Sequence, residues 1–468
     1  MMRTFIAALL AATIAVPAAA QALRPDQQAF RALYKELVET NTDHVTGSCT
    51  LAAQQIAARL KAAGYADADL NVFVPEGLPL DGGLIATLPG SDAKQGAMIL
   101  LAHLDVVEAR REDWVRDPLT LIEEGGWFYG RGSADDKAQA AIYSDTMIRL
   151  KQAGAKPART IKLMLTCGEE SGARINNVRW LIEKHPDWIK ADFALNEGGG
   201  GSLKPDGTPL ALSLQAGEKV SQNFRVEALN PGGHSSVPRP DNAIYALSTA
   251  LNRIGAHEFP VRFNEVTRGF FTSISQTMPG PMGAAMQRLV ANPADAEADA
   301  IVSKDARFHS ILRTTCVATL LEGGHAINAL PQRARANINC RMFPSDSVEF
   351  VTAQLKAAVG DAPVSVTAVP PFNPVNPVPP LATVLGASEK LAKRYFPGVP
   401  IVPTMSTGAT DGRFLIAAGV PTYGVPGILS DGSTNAHGLN ERISVKWLLN
   451  GRDYLHDLVR ELAGVKGK

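Results

Sequence analysis

The chain has 468 residues, room for two or three domains at about 150 residues each, and carries 46 basic against 46 acidic side chains. Such balance excludes the electrostatic footprint of a nucleic-acid binder or of a protein drawn to anionic membranes, leaving small molecules or peptides as the expected partners. The cysteines, Cys49, Cys167, Cys316 and Cys340, are too few and too scattered for a disulfide framework or a cysteine-based zinc site.

The chain opens with MMRTFIAALLAATIAVPAAAQA, in which a lone Arg3 precedes an uncharged apolar run and small residues at Ala18, Ala20 and Ala22. This is the pattern of a secretory signal peptide over residues 1–22, so the expected location is exported, periplasmic or secreted. The run falls short of the roughly 20 residues needed to cross a bilayer, and no later stretch is apolar enough, so no membrane partner is expected.

Helix and strand patterns then alternate. LAAQQIAARLKAAG, KAQAAIYSDTMIRLKQAG and NNVRWLIEKHP read as helices; GAMILLAHLDVV, RTIKLMLTCGEESG and ADFALNEGGGG read as apolar strands whose C-terminal ends turn polar. The fold expected over residues 23–216 and 378–468 is α/β, a mostly parallel sheet with helices on both faces. In such sheets the ligand site lies beyond the carboxyl ends of the strands.

Near residue 216 the alternation stops. KVSQNFRVEAL, RTTCVATLLEGG and RARANINCRMFP read as strands and DNAIYALSTALNRIG as an amphipathic helix capped by Asp241. Residues 217–377 are therefore expected to form an inserted α+β domain, with an irregular, partly helical stretch from about 260 to 310. The Pro-rich VPPFNPVNPVPP reads as a stiff hinge. Cys316 and Cys340 are equidistant from Asn328, so a hairpin folding there would set them opposite each other, as a disulfide or as buried thiols. LATVLGASEKLAKRYF and VKWLLNGRDYLHDLVREL resume the first domain as helices.

Chemistry-bearing residues gather at the polar strand ends. His103 and Asp105 are two apart in AHLDVV, so period-two geometry points both to one side, and a carboxylate beside an imidazole suits a metal-ligating histidine. TCGEES adds Glu169 and Glu170, LNEGG adds Glu197, and GSTNAHGLNE adds His437 in a late loop. WFYGRGSADDKAQAA places Asp135 beside Asp136, a repulsion that something must offset. Histidines with carboxylates make the mixed N/O donor set of zinc and its neighbours cobalt and manganese. No G-x-S-x-G elbow and no HExxH motif occurs, and Arg131 and Lys137 read as surface or framework charges.

With HLDVV, WVRDPLTLIEEGGWFYGRGSADDKA, CGEESG, LNEGG, NPGGHSS, AINALPQRARANINCR, STGATDGR and NAHGLNE in this order, the chain resembles the M20 peptidases, co-catalytic di-zinc exopeptidases and amidohydrolases, and within them the carboxypeptidase S-like branch. The resemblance implies a metal-binding catalytic domain with an inserted lid or dimerisation domain. It implies two Zn2+ ions, or Co2+ or Mn2+ in their place: one on His103 and Glu197, the other on Glu170 and His437, with Asp135 bridging through a cis peptide to Asp136. Spacing alone accommodates the swapped assignment equally. Glu169 matches the general base and Asp105 the partner of His103. In the lid, His234 matches an oxyanion-stabilising residue that often acts across a dimer interface. Asn328 and Arg341 match substrate contacts, Arg341 to a carboxylate, and Gly408 and Thr410 belong to a loop that contacts it. Ala138 and Gln139 depart from the family, which most often has glycine after ADDK.

The implied function is hydrolysis of a peptide bond next to a free carboxylate, as a carboxypeptidase or dipeptidase; the alternative is an aminoacylase acting on N-acyl amino acids. A non-catalytic peptide-binding protein on a degenerate hydrolase scaffold would lack ligands or the base, and none is missing here. A homodimer through the inserted domain is implied, as is a monomer with a self-closing lid.

Overall fold

The computed structural model describes residues 23–170, 174–278, 280–372 and 382–466. The expected signal peptide lies outside these residues, as do residues 373–380 of the expected hinge.

Met98–His103, six buried residues, forms a central strand of a ten-stranded sheet. A run apolar on both sides suits a parallel strand covered twice. Its side chains divide accordingly, with Met98, Leu100 and Ala102 in one core and Ile99 and Leu101 in another. Ile161–Thr166 and Phe193–Asn196 flank it in parallel, and Thr422–Gly424 extends the parallel set. Antiparallel pairing ends the sheet with Gly83–Leu88 and Leu70–Phe73 on one side and brings in Pro209–Glu218 on the other, where Ile401–Ser406 joins it in parallel and Gly200–Leu203 and Leu429–Ser430 lie beyond.

Helices Pro25–Glu39, Cys49–Ala62, Lys137–Gln152, Ala382–Tyr395 and Val445–Leu462 cover the first core; Asn177–Lys184 and Gly412–Ala417 cover the second. The architecture is α/β, with a mostly parallel central sheet and helices on both faces. Parallel register sets His103 beside Thr166, so the polar residues that follow these strands emerge together.

At Lys219 the chain changes sheets. Pro209–Glu218 belongs to the large sheet, whereas Val220–Leu229 joins Thr315–Gly323, Arg333–Met342 and Ser365–Val369 in a four-stranded antiparallel sheet. Along Arg333–Met342 the residues Ala334, Ala336, Ile338, Cys340 and Met342 are buried beneath helices Ala243–Gly255 and Val348–Val359, and Asn337, Asn339 and Arg341 face the other way. Period-two alternation is what one covered face requires.

Three expectations are corrected. The stretch from 260 to 310 is not irregular: Glu265–Ser275, Pro281–Ala291, Ala296–Val302 and Ala306–Leu312 are helices around a core of Phe271, Met286, Leu289 and Phe308. Each is too short to display a clear helical period in sequence. Asn242, not Asp241, caps Ala243–Gly255, accepting the N–H of Ile244 at 2.9 Å, because the Asp241 carboxylate is taken by Arg239. All four cysteines are paired: Cys316–Cys340 joins residues directly opposite on neighbouring strands, and Cys49–Cys167 spans 118 residues. Among the described residues no helix is long and apolar enough to cross a membrane.

Candidate active site

The strand ends converge with one distant loop. His103 Nε2 lies 3.1 Å from Asp135 Oδ1 and 3.8 Å from Glu197 Oε1. His437 Nε2 lies 3.2 Å from Asp135 Oδ2 and 2.7 Å from Glu170 Oε1. Asp135 thus directs one oxygen to each imidazole, and beside it Glu197 lies within 4 Å of His103 and Glu170 within 4 Å of His437. Ligand atoms of His103, Glu169 and Glu197 lie within 4.8 Å of one another, as do those of His103, Asp135 and Glu170.

The Asp135–Asp136 peptide is cis. His103 is buried, while His437 is half-exposed, so the cluster opens to solvent at its His437 end. Asn435, His437 and Asn440 all adopt left-handed backbone, a conformation uncommon outside glycine that concentrates at ligand-holding loops.

Asp105 is placed differently from a plain imidazole partner. Its backbone carbonyl, not its carboxylate, makes the close contact with His103 Nδ1, at 2.9 Å; the nearest carboxylate oxygen is 3.7 Å away. The carboxylate instead accepts the backbone N–H of Glu170 at 2.9 Å and of Glu169 at 3.4 Å. One residue therefore fixes the imidazole by its main chain and the acidic turn by its side chain. The Cys167 end of that turn is tied to helix Cys49–Ala62 by the disulfide, and Cys167 N–H donates to Asn177 Oδ1 at 2.9 Å.

Electrostatics follow from crowding. Burial alone would depress His103, but the facing carboxylates of Asp135, Glu197, Asp105 and Glu169 override it and raise its pKa. Contacts with Asp135 and Glu170 push His437 up to about 10. Burial pushes Glu169 up to about 8 against the pull of His103, with Asp411 and Glu170 adding to the rise. Among the described residues no lysine or arginine contacts the carboxylates of Asp135, Glu170 or Glu197; their partners are the two imidazoles.

Thr410 is buried, with its hydroxyl donating to Glu218 at 3.1 Å and accepting from Asn196 at 3.0 Å. Its side chain is therefore committed to the protein and not to a ligand. Gly408 is half-buried, its N–H donating to Ser406. Asp411, which ends the same Gly408–Asp411 segment, accepts from Thr166 at 3.2 Å and Asn176 at 2.5 Å, and burial pushes its carboxyl up to about 6. This loop braces the ends of two central strands. Only its TDG turn residues could have signalled that role.

The lid residues lie apart. His234 and Asn328 are exposed on a small ladder in which Gly233–His234 pairs with Ala329–Leu330, and the Asn328 carbonyl accepts the Ser235 N–H at 3.0 Å. Among the described residues neither contacts the cluster. Arg341 is half-buried without an ion-pair partner among the described residues; burial and the nearby Arg413 guanidinium lower its pKa. Arg131 and Lys137 are both buried, not surface charges. Gln139, at the departure from the family pattern, is also buried and lines a cavity of about 250 Å3 with Asp135, Glu197, Trp127 and Leu429. A roomier cavity of about 810 Å3, walled by Arg149, His456 and Arg460, contains none of the cluster residues.

Comparison with known proteins gives the family. Human N-fatty-acyl-amino acid synthase/hydrolase PM20D1 is 27% identical over 385 residues, 80% of this chain and 76% of that protein. Rat aminoacylase-1A is 27% identical over 392 residues, 81% of this chain and 83% of that protein. The crystal structure of the M20 family metallo-carboxypeptidase Sso-CP2 from Sulfolobus solfataricus superposes with a TM-score of 0.67 at 18% identity, over 94% of this chain and all (100%) of that one. The model of peptidase family M20/M25/M40 matches residues 99–461, so the chain belongs to that family and is a metallopeptidase-type hydrolase.

Proposed function

We propose that the protein is a dinuclear metallohydrolase that cleaves an amide bond next to a free carboxylate, as a carboxypeptidase or dipeptidase. The observation that carries this reading is Asp135, whose two oxygens lie 3.1 Å and 3.2 Å from different imidazoles. Carboxylates gathered at a strand end with two imidazoles and, among the described residues, no lysine or arginine against Asp135, Glu170 or Glu197 suit an outside cation. The donors His103, Glu197, Asp135, Glu170 and His437 offer imidazole nitrogen and carboxylate oxygen, the set that suits Zn2+, with Co2+ or Mn2+ as substitutes. Cys49 and Cys167 are no rivals as ligands, being joined to each other. Two bound ions would acidify a water molecule and polarise the substrate carbonyl.

Glu169 then takes the proton of that water and delivers it to the leaving amine. Its placement on the His103 and Glu197 side of the cluster, in a buried setting that favours protonation, suits a carboxyl that must hold a proton between two transfers. Asp105 holds the Glu169–Glu170 turn in place. Arg341 supplies a bidentate partner for the substrate carboxylate, and His234, delivered by lid closure or by a second copy, donates to the developing oxyanion.

The second reading, an N-acyl amino acid as substrate, is favoured by one observation. The chain is 27% identical over about four-fifths of its length to an N-fatty-acyl-amino acid synthase/hydrolase and to an aminoacylase. We further propose a homodimer through the edge strand Thr315–Gly323, where Val317, Leu320 and Leu321 are exposed. Export is supported by the N-terminal segment together with the pairing of every cysteine.

Assaying the Zn2+-loaded protein on free dipeptides, blocked dipeptides and N-acyl amino acids ranks the readings. Turnover is expected for at least one class and is lost when its carboxylate is amidated. Equal inactivity on all classes overturns the proposal.

A further inference from the structure

Arg131 and Glu441 are 3% and 0% exposed, and Glu441 meets the candidate ligand Asp135 at its backbone N–H and not at its carboxylate. Strand Arg442–Ser444 pairs with Trp127–Tyr129, Arg442 opposite Tyr129, and the ladder ends where both chains depart for the cluster. At that point the Glu441 carbonyl accepts the N–H of Gly130 at 3.1 Å. The Glu441 carboxylate reaches into the departing loop. Oε2 accepts from Arg131 Nη1 at 2.8 Å and from the N–H of Gly132 at 3.1 Å. Oε1 accepts the N–H of Ala134 at 2.7 Å and of Asp135 at 3.0 Å. Arg131 Nη2 turns back to the Gly438 carbonyl, 3.1 Å away, next to His437.

We propose that Glu441, with Arg131, is the positioning element of the dinuclear centre: it sets the bridging carboxylate Asp135 against His437 and so fixes where the second metal sits relative to the first. The inference rests on the metal-centre reading above. His103 and Glu197 issue from adjoining strands of the large sheet, whose ladder holds them in any case. Asp135 and His437 lie on loops that no strand aligns. The only buried charges spanning both loops among the described residues are Arg131 and Glu441. A carboxylate satisfied by a guanidinium and three amides is costly to disturb, because each amide left unpaired in a buried place loses its compensation.

The test is metal titration of apoprotein by equilibrium dialysis with Zn2+, repeated with Co2+ while the visible absorption of each site is followed. Wild type is expected to take two ions. Glu441→Gln keeps the shape of the side chain but turns a donor toward donors. It is expected to hold the His103 and Glu197 ion and to bind the second about 10- to 100-fold more weakly, the range for groups that orient metal ligands. Raising free Zn2+ should restore its kcat with KM unchanged, a recovery that generalised loosening would not give. Arg131→Lys, which keeps the charge opposite Glu441 but loses the reach to Gly438, provides a second variant should the first fail to fold, and the same selective weakening is expected. Two ions bound as tightly by the variants as by wild type overturn this inference alone. A wild-type chain that takes up no divalent ion overturns the dinuclear reading and this inference with it.

Discussion

Asp105 accepts the backbone N–H of Glu170 at 2.9 Å, so a residue just past one strand end holds the turn that follows the neighbouring strand. Asp105→Ala removes that anchor, and its effect should be kinetic before it is structural. We expect kcat to fall about 10- to 100-fold, with weaker metal uptake, while Asp105→Asn, which keeps one acceptor oxygen, loses less. Steady-state kinetics with metal analysis checks both. Equal effects of the two variants would argue against the amide contact.

The proposed function gives Glu169 a separate role. Glu169→Gln preserves volume and removes the proton acceptor, so activity should fall by about two or more orders of magnitude while metal content stays at the wild-type value. Turnover retained in this variant removes Glu169 from proton transfer.

The disulfides differ in what they close. Cys49–Cys167 spans 118 residues and Cys316–Cys340 spans 24. On the chain-entropy account their removal costs about 5 and about 3.5 kcal/mol respectively. The Cys49→Ala/Cys167→Ala variant should therefore show the lower urea midpoint, and since Cys167 precedes the Glu169–Glu170 turn, it should also lose activity below its unfolding range. A larger loss from the Cys316–Cys340 pair contradicts this ranking.

His456 predicts a pH dependence of stability. Burial, with Arg149, Arg460 and Arg452 adding repulsion, lowers its pKa from 6.5 to about 3. Below pH 6.5 the unfolded chain takes up a proton that the folded chain refuses. The contribution is therefore whole above that pH and is lost as pH falls toward about 3, up to about 5 kcal/mol in all. Urea midpoints measured from about pH 7.5 to about pH 4 should fall less steeply in His456→Gln than in wild type. Parallel slopes would show that His456 is not among the groups responsible.

Much of the fold could be read from local pattern because the central strands are apolar on both sides and end abruptly in charge. His103, Glu169, Glu170 and Glu197 stood out for that reason, and they do meet. Other features depend on tertiary contacts that spacing does not encode. Cys49 and Cys167 are brought together only by the packing of a helix against a strand end. Arg131 read as a surface or framework charge and Glu441 drew no reading of its own, since an isolated arginine or glutamate is usually solvated, and only the ladder between Trp127–Tyr129 and Arg442–Ser444 buries them together. The helices from Glu265 to Leu312 are individually short, so their shared core could not be inferred from any one of them. Thr410 sits in a recognisable motif, but its partners Glu218 and Asn196 come from distant strands.

The account stands most directly on a crystal structure of the Zn2+-loaded protein with anomalous data at the zinc edge. Two peaks about 3.5 Å apart are expected. Asp135 should contact both at about 2.0–2.2 Å, with His103 and Glu197 on one ion and Glu170 and His437 on the other. A single peak, or a pair that leaves Asp135 uncoordinated, would contradict it.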